Sequence, residues 1–309
     1  MIYTVTLNPA IDYVMHPLTL DMGFTNRSSS EEIYCGGNGI NVSTLLNELK
    51  VLNVAFGIAA GFTGEYLINT LQKSGISSNF VMLDHGFTRI NVKLNGIVMT
   101  MVNGMGPKIP EKKVDELLER IDCIQPGDTL VLTGSIPKSL PENMYDIIMK
   151  RLAGRGIRFV VDAPGQLLME ALAAKPFLIK PNNHEVGRIF DARPETPEEC
   201  IPFAEKLHER GAQNVIVSCG SHGALLYDND CQVHTVPTAK IKLVNATGAG
   251  DSMVAGFVAK CQEGADYETA LRFASACGTA TAASRGIAKR ATIDKVYARL
   301  NKIIEEQSR

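Results

Sequence analysis

Residues 245–256 read Asn-Ala-Thr-Gly-Ala-Gly-Asp-Ser-Met-Val-Ala-Gly, a run of small residues that leads into an apolar stretch at 253–261. We expect a helix to begin within this run. The first turn of a helix has backbone N–H groups without partners, and the helix dipole adds roughly half a positive charge there. Gly248, Ala249 and Gly250 would let a ligand approach these amides closely. The segment therefore predicts an anion site that suits phosphoryl oxygens.

Asp251 lies inside this predicted anion site, where its carboxylate would repel a phosphoryl group. A role that fits is to accept a proton from an attacking hydroxyl, because phosphoryl transfer needs positioning, charge stabilisation and a proton acceptor. From this segment alone a plain alternative stays open: Gly248 and Gly250 form a tight turn, and Asp251 only caps a helix.

A second glycine cluster, at 36–39, precedes apolar residues at helical spacing from 42 to 49. Upstream, residues 2–7 resemble a buried strand that ends at a turn and delivers Asp12 to a loop near its carboxyl end. Asn41 is a polar residue on the first turn of an otherwise apolar helix. Asp12 and Asn41 are thus candidates to bind vicinal hydroxyls of a sugar, although a plain turn also explains the glycines.

Strand and helix patterns alternate along most of the chain. Buried strands are predicted at 128–134, 157–163, 177–182 and 214–220, and a closing amphipathic helix at 293–304. Helix starts are predicted at a capping box of Ser139 and Glu142, and at Thr196 with Glu199. This alternation predicts the α/β fold class, with a mostly parallel sheet flanked by helices and a ligand site beyond the carboxyl ends of its strands.

The stretch from 88 to 102 has a different pattern. Two extended runs flank Asn95 and Gly96, and Asn-Gly is the strongest short-range signal for a hairpin. Together with an extended segment at about 25–34, they predict a small β-sheet outside the main body. We predict one domain over 1–309, with a lid formed by about 13–35 and 87–106.

Composition excludes several classes of function. The 309 residues have a formal net charge of −2 and no basic stripe, so nucleic-acid binding has no electrostatic support. No apolar run reaches the roughly 18 residues of a membrane span, and the N-terminus lacks a signal-peptide pattern. The seven scattered cysteines are expected to be reduced and buried, which predicts a cytoplasmic protein. P-loop, Rossmann-dehydrogenase, HExxH and GxSxG signatures are absent.

Seven segments, taken together, resemble the PfkB (ribokinase-like) carbohydrate kinases and follow that family's order. They are TLNPAID at 6–12, GGNGINVS at 36–43, RINVKL at 89–94, TGSIP at 133–137, KPNNHE at 180–185, VSCGSHGA at 217–224 and NATGAGDSMVAG at 245–256. The first three look most like the branch of 1-phosphofructokinases and tagatose-6-phosphate kinases. The resemblance covers essentially the whole chain and implies a Rossmann-like body with a β-sheet lid that forms a homodimer interface.

The resemblance also implies roles by position. Asp251 is the implied catalytic base, and the amides of Gly248, Ala249 and Gly250 are the implied anion hole. The implied substrate contacts are Asp12, Gly37 and Asn41 for the sugar and Arg89 and Ser135 for its phosphate. The implied nucleotide contacts are Lys180, Asn182, Ser218, Gly220 and Gly223, and Glu185 would reach Mg²⁺ through water.

The activity implied by the resemblance is ATP-dependent phosphorylation of a ketohexose phosphate, with Mg²⁺ and with K⁺ as a further candidate. Fructose 1-phosphate is the favoured substrate, and tagatose 6-phosphate and fructose 6-phosphate are rivals. A kinase for a nucleoside or vitamin is a further alternative, against which Arg89 and the lack of Trp argue. A catalytically silent sensor of nucleotide or sugar phosphate would be expected to lack the base or the anion hole.

Several positions stay open or depart from the family pattern. Lys93 is either a substrate contact or a solvated cation of the hairpin, and Arg27 is a candidate to face the site across a dimer. Asn38 replaces a frequent Lys, and Ala246 a frequent Thr or Val; we expect neither to touch the chemistry. Lys108 stands where an acidic residue is more common and receives no role. Ser218 and Gly220 also fit a plain strand end.

Overall fold

The computed structural model describes residues 1–96 and 99–307. Its strands are β1 (Ile2–Thr6), β2 (Ala10–Pro17), β3 (Ser28–Gly36), β4 (Asn53–Ala60), β5 (Ser77–Leu83), β6 (Arg89–Asn95), β7 (Met99–Asn103), β8 (Thr129–Thr133), β9 (Arg158–Asp162), β10 (Leu178–Ile179), β11 (Val215–Ser218), β12 (Ala224–Tyr227) and β13 (Val233–Val236). Its α-helices are α1 (Asn38–Glu48), α2 (Gly61–Lys73), α3 (Glu111–Ile121), α4 (Met144–Arg151), α5 (Gly165–Ala171), α6 (Asn183–Phe190), α7 (Pro197–Glu209), α8 (Ala249–Gln262), α9 (Tyr267–Ala282) and α10 (Arg290–Gln307).

Nine strands form the main sheet, in the order β13-β12-β11-β10-β9-β8-β1-β4-β5. The pairs from β11 to β5 are parallel, whereas β12 and β13 add antiparallel strands at one edge. The predicted mostly parallel α/β sheet is confirmed. The four strands predicted between 128 and 220 are β8, β9, β10 and β11, although β10 has only two residues.

Helices cover both faces of this sheet, which explains why its strands are continuously apolar. On β8, Leu130 and Leu132 pack into a core with residues of α3, α4 and α7, while Val131 faces the opposite way. The core on Val131's side includes α1, α8, α9 and α10. Because successive side chains on a strand point to opposite faces, a buried parallel strand has no polar side to show in its sequence.

A second sheet has four strands in the order β3-β2-β6-β7. The predicted hairpin is confirmed, because β6 and β7 pair antiparallel, but Asn95 already pairs with Met99. The connection is therefore longer than a two-residue Asn-Gly turn, and its residues 97 and 98 lie outside the described residues. The extended segment predicted at 25–34 is β3. The limits of 13–35 and 87–106 for a lid stay a prediction.

Of the two helix starts predicted from capping residues, one is correct. Thr196 is the N-cap of α7, and its hydroxyl accepts the N–H of Glu199 at 3.3 Å. The capping box at Ser139 and Glu142 is wrong, since α4 begins only at Met144. Turns occupy the intervening residues, and the Ser139 hydroxyl donates to the backbone oxygen of Pro107 at 3.4 Å instead.

Two predictions about the surroundings of the protein, buried reduced cysteines and the lack of a membrane span, can be compared with the structure. All seven cysteines are free thiols, but Cys123 and Cys231 are exposed, so the expectation that every cysteine is buried is wrong. Among the described residues, no helix has both the length and the apolar character needed to cross a membrane.

Candidate active site

Polar residues gather where the central parallel strands of the main sheet end. Asn8 follows β1, Ser135 follows β8, Asp162 ends β9 and Lys180 follows β10. The carboxyl ends of parallel strands share one edge of a sheet, and this edge is where ligands bind in open α/β folds. The first turn of α8 lies at the same edge, since Lys180 approaches Gly250 there.

The predicted anion site is the N-terminus of α8. Gly248 is its N-cap in the left-handed region, with φ +81°, and a Cβ there would lie 2.7 Å from Ile287 Cδ1. Gly250 and Asp251 occupy the second and third helical positions, whose N–H groups have no partner within a helix. The N–H of Ala249 donates to Ala246 O at 3.3 Å. Of the predicted anion-hole amides, Ala249 therefore already has a partner in a turn.

The Asp251 carboxylate is buried and receives one amide on each oxygen. Asn38 Nδ2 donates to Oδ1 at 3.0 Å, and Asn41 Nδ2 donates to Oδ2 at 2.8 Å. Both amides come from the first turns of α1, where residues three apart share a face. The site therefore fixes the orientation of this carboxylate through uncharged donors.

The environment of Asp251 raises its pKa to about 7. Burial is the largest cause and the negative charge of Asp162 adds to it, while the amides of Asn41 and Asn38 and the charge of Lys180 oppose it. A carboxyl group with a pKa near the working pH is suited to accept a proton during reaction.

The expectation that Asn38 does not touch the chemistry is wrong. Asn38 is the first residue of α1, and the first turns of α1 and α8 lie close enough for its amide to reach Asp251. Asn41, predicted as a sugar contact, likewise donates a hydrogen bond from its amide group to Asp251. The oxygen of Ala246 accepts the N–H of Ala249, and nothing else in the structure explains why this position has alanine.

Lys180 and Asp162 form a buried ion pair beside Asp251. Lys180 Nζ lies 3.3 Å from Asp162 Oδ1, and a Cβ added at Gly250 would lie 3.1 Å from this Nζ. Burial opposes the charged form of Lys180, but Asp162, Glu185 and Asp251 outweigh it and raise its pKa. Asp162 is missing from the predicted site, although a carboxylate at the end of an apolar strand is a usable signal.

Asp12 lies within β2 of the second sheet, in a separate polar cluster, so the prediction that it lies in a loop is wrong. Its Oδ1 accepts Asn91 Nδ2 at 2.8 Å, and its Oδ2 pairs with Lys93 Nζ at 2.7 Å. Lys93 is only 8% exposed, so the reading as a solvated cation is wrong. Alternation places Arg89, Asn91 and Lys93 on one face of β6, and this face holds the cluster.

All three glycines of the 36–39 cluster are required by their surroundings, as Gly36 and Gly37 illustrate. A Cβ at Gly36 would lie 2.9 Å from three atoms of the Asp12 side chain. Gly37 is the N-cap of α1 with φ +126°, and a Cβ there would lie 2.6 Å from Thr6 Cγ2. The cluster therefore brings backbone against Asp12 and starts the helix that carries Asn41.

Arg89 and Ser135 meet at Asn8. Arg89 Nη2 donates to Asn8 O at 3.1 Å, and Asn8 Nδ2 donates to Ser135 Oγ at 3.2 Å. The buried Nε of Arg89 has no partner among the described residues. Burial lowers the pKa of Arg89 against the opposing charge of Asp12, yet a guanidinium stays protonated in proteins. Asn8 is a site residue that its turn signal alone does not reveal.

A cavity of about 410 Å³ adjoins this group. Asn8 lines it together with the loop after β7 and the loop after β8. Each loop contributes one exposed lysine, Lys108 and Lys138, and neither has an ion pair within 1–96 and 99–307. The cavity therefore collects two unpaired cations beside Arg89 and Ser135.

The residues predicted for nucleotide lie past β10 and β11. Asn182 and Glu185 form a reciprocal capping box of α6, with both bonds at 2.9 Å. Asn182 also bridges to Ser218, the last residue of β11. Gly220 and Gly223 bound a short 3₁₀ turn, Gly220–His222, with φ +55° and +104°. These residues share one region, but apart from Lys180 none is seen to contact the Asp251 cluster.

A metal site built from protein ligands alone is not evident. In the described part of the chain, no group of three or more His, Cys, Asp or Glu is placed to hold a metal. Mg²⁺ usually keeps waters and takes substrate phosphates with only one or two carboxylates. Glu185, whose charge acts on Lys180, is a carboxylate of this kind and fits Mg²⁺ that arrives with a nucleotide.

Known proteins match this chain over nearly its full length. A 1-phosphofructokinase of Bacillus subtilis is 44% identical over 92% of this chain and 93% of its own. A D-tagatose-1-phosphate kinase of Bacillus licheniformis is 35% identical over 97% and 98%. Phosphofructokinase-2 from Escherichia coli, solved in complex with substrates and products, is 29% identical, with a TM-score of 0.90 over 97% of this chain and 99% of that one. The family described as pfkB family carbohydrate kinase matches residues 5–293. The chain belongs to the pfkB family of carbohydrate kinases.

Proposed function

We propose that this enzyme transfers the γ-phosphoryl group of ATP to the 6-hydroxyl of fructose 1-phosphate and forms fructose 1,6-bisphosphate. The main support is the buried Asp251, whose pKa of about 7 suits a proton acceptor and which lies on the first turn of α8. The 44% identity to a 1-phosphofructokinase supports the choice of substrate.

In the proposed reaction the acceptor hydroxyl attacks the γ-phosphorus in line. A new P–O bond forms, the bond to the β,γ-bridging oxygen breaks, ADP leaves, and the hydroxyl proton passes to an Asp251 oxygen. The amides of Gly250 and Asp251 and the Lys180 ammonium stabilise charge on the phosphoryl oxygens, as preorganised donors do in other enzymes. Bound Mg²⁺ would neutralise charge on the ATP phosphates, with Glu185 as its contact through water. The assignments of Lys180, Asn182, Ser218, Gly220 and Gly223 to the nucleotide remain part of this proposal.

Asp12 and Asn41 would bind sugar hydroxyls beside Gly37, and Lys93 would hold the Asp12 carboxylate in place. Arg89 and Ser135 would bind the substrate's own phosphate. The partnerless Nε of Arg89 and the neighbouring cavity with Lys108 and Lys138 support this placement. The net charge of −2 means that attraction of an anionic substrate must come from such local cations.

Tagatose 1-phosphate is a second candidate substrate, because a D-tagatose-1-phosphate kinase is 35% identical over 97% of this chain. Fructose and tagatose differ only in the configuration at C4, and both 1-phosphates would place the phosphate at the same end of the site. Tagatose 6-phosphate and fructose 6-phosphate remain rivals with the phosphate at the opposite end.

The test is ATP-dependent ADP release with these four phosphosugars and with unphosphorylated fructose and ribose, with Asp251→Asn as the control. We expect kcat/KM for fructose 1-phosphate to exceed that for unphosphorylated fructose by roughly 10²-fold or more, because its phosphate pairs with buried donors. Turnover confined to unphosphorylated sugars would contradict the role of Arg89. Nucleotide binding without turnover of any sugar would favour the silent sensor.

We further propose a cytoplasmic homodimer that joins through the second sheet. Ile33, Tyr13, Val92 and Val102 are paired across its four strands and so share the face opposite Lys93. Ile33 is 50% and Val102 62% exposed, and an apolar row of this kind is typical of an interface. The exposed Arg27, in the loop before β3, would then reach the partner's site. K⁺ remains a candidate activator.

A further inference from the structure

We propose that Asn38 is a positioning residue of the reaction, which holds the Asp251 carboxylate in the orientation that receives the proton of the acceptor hydroxyl. This inference rests on the proposed role of Asp251. Asn38 itself need not touch substrate, because its amide acts on the base.

Each oxygen of the Asp251 carboxylate accepts a hydrogen bond from a different amide. Asn38 Nδ2 lies 3.0 Å from Oδ1 and Asn41 Nδ2 lies 2.8 Å from Oδ2, so neither oxygen is free to rotate away from its amide. Since Asn41 also serves as a proposed sugar contact, substrate binding would compete for its amide. Asn38 is then the donor that keeps Asp251 in place while the sugar is bound.

The backbone of Gly134 also lies close to the Asn38 side chain. Gly134 has φ +92°, and a Cβ at this residue would lie 2.9 Å from Asn38 Oδ1. Gly134 thus leaves room for the Asn38 amide and leads directly into Ser135, a proposed phosphate contact. The Asn38 side chain therefore lies next to both Gly134, in the loop that would bind the substrate phosphate, and the proposed base Asp251.

The hydrogen bond from Asn38 should have a measurable effect on the pKa of Asp251. The groups that face Asp251 are Asp162 from β9, Lys180 after β10, the Tyr145 hydroxyl from α4, and the two amides from α1. An N–H donor to a carboxylate favours its charged form. Loss of the Asn38 donor should raise the pKa of Asp251 further, and a carboxylate at position 38 should raise it more.

The test compares the pH dependence of kcat/KM for fructose 1-phosphate in wild type, Asn38→Ala and the near-isosteric Asn38→Asp. Asn47→Asp is the matched control, because Asn47 lies on the same helix and donates to Ser74 O at 2.9 Å, away from the base. We expect the acid limb to move up by about half a pH unit or more in Asn38→Ala, further in Asn38→Asp, and not at all in the control. Substrate ionisation is common to all four proteins and cancels.

A second readout does not depend on turnover. The ¹³C-carboxyl signal of Asp251, assigned by its loss in Asp251→Asn, should titrate at correspondingly higher pH in both Asn38 variants. Asn38 is exposed, so Asn38→Ala should fold even where Asn38→Asp does not. If wild type phosphorylates no sugar while this titration still shifts, the proposed function fails and the contact stands. An unchanged titration in folded Asn38→Ala would overturn the inference.

Discussion

The raised pKa of Asp251 suits proton transfer but lowers the stability of the folded protein. Its pKa is about 7 in the folded protein, whereas an aspartate in an unfolded chain titrates near 4. The folded state therefore binds this proton more tightly than the unfolded state, and the free energy of unfolding falls as pH rises from about 4 to about 7. The same burial that suits this carboxylate to accept a proton thus destabilises the fold at neutral pH.

Asp251→Asn should consequently stabilise the protein at high pH. We expect its free energy of unfolding to exceed that of wild type by about 1 to 3 kcal/mol at pH 8, with a smaller gain at pH 5, because the variant removes a buried charge. Urea unfolding at both pH values measures this difference. Asp84→Asn, at a carboxylate whose side chain is 81% exposed, is the control. A difference that does not depend on pH would contradict the account.

At this scale, sequence predicts the residues whose signal is local. Asp251 stands in a distinctive run of small residues, and its helix start needs no long-range information. Asn38 and Asp251 are 213 positions apart, and their hydrogen bond exists only because α1 and α8 start side by side. Asp162 and Asn8 join the site through the order of β1, β8 and β9, which no local pattern encodes.

The second sheet is the element that carries Asp12, a proposed sugar contact. Its strand β3 ends at Gly36, which faces the Asp12 carboxylate at a distance that leaves no space for a side chain. Backbone and carboxylate thus approach each other as closely as the chain allows.

Gly36→Ala should displace Asp12 and weaken sugar binding. We expect KM for the phosphosugar to rise about tenfold with a smaller change in KM for ATP, because the added methyl group shifts a substrate contact by several tenths of an ångström. Gly96→Ala in the same sheet is the control, since a Cβ there would meet Pro17 O at an ordinary 3.5 Å. Equal KM values in the two variants would remove Asp12 from the sugar site.

The loops after β7 and β8 should select for a phosphorylated substrate through Lys108 and Lys138. We expect the double variant Lys108→Ala, Lys138→Ala to raise KM for fructose 1-phosphate by about 5- to 30-fold, about 1 to 2 kcal/mol for two partly exposed charges. KM for ATP should stay unchanged. Lys289→Ala, at an exposed lysine that pairs with Glu48 at the C-terminal end of α1, controls for loss of surface charge. An unchanged sugar KM would place the phosphate elsewhere.

Element prediction is strongest where strands are continuously apolar and helices are capped. The strands from β8 to β11 and the N-cap at Thr196 follow from such patterns. β4 and β5 are absent from the predicted strands, because the alanine-rich β4 sequence Asn-Val-Ala-Phe-Gly-Ile-Ala-Ala fits a helix as well as a buried strand. The proposed cap at Ser139 fails because turns precede α4.

At the scale of the molecule, the proposed dimer would cover the apolar outer face of the second sheet. Val102→Glu together with Ile33→Glu should convert a dimer into a monomer, because each places a charge at one exposed end of the apolar row, where the proposed partner would bury it. Light scattering on a size-exclusion column measures the mass. Leu52→Glu, at a residue of the main body that is 74% exposed, should leave it unchanged. A wild type that is monomeric at micromolar concentration would contradict the dimer.

The overall architecture follows from the alternation of patterns and from the order of seven segments, and it agrees with the matched family. What sequence does not supply is the meeting of Asp251, Lys180 and Asp162 at one edge, which depends on strand order. The proposed reaction depends above all on Asp251 as the acceptor of the hydroxyl proton.

The most direct test is kcat of Asp251→Asn with fructose 1-phosphate at saturating ATP and Mg²⁺, with nucleotide binding and circular dichroism as checks of the fold. We expect kcat to fall roughly 10²- to 10³-fold or more while nucleotide binding is retained, because the variant loses the carboxylate that would accept the proton. A folded variant that turns over at nearly the wild-type rate would show that another group accepts the proton.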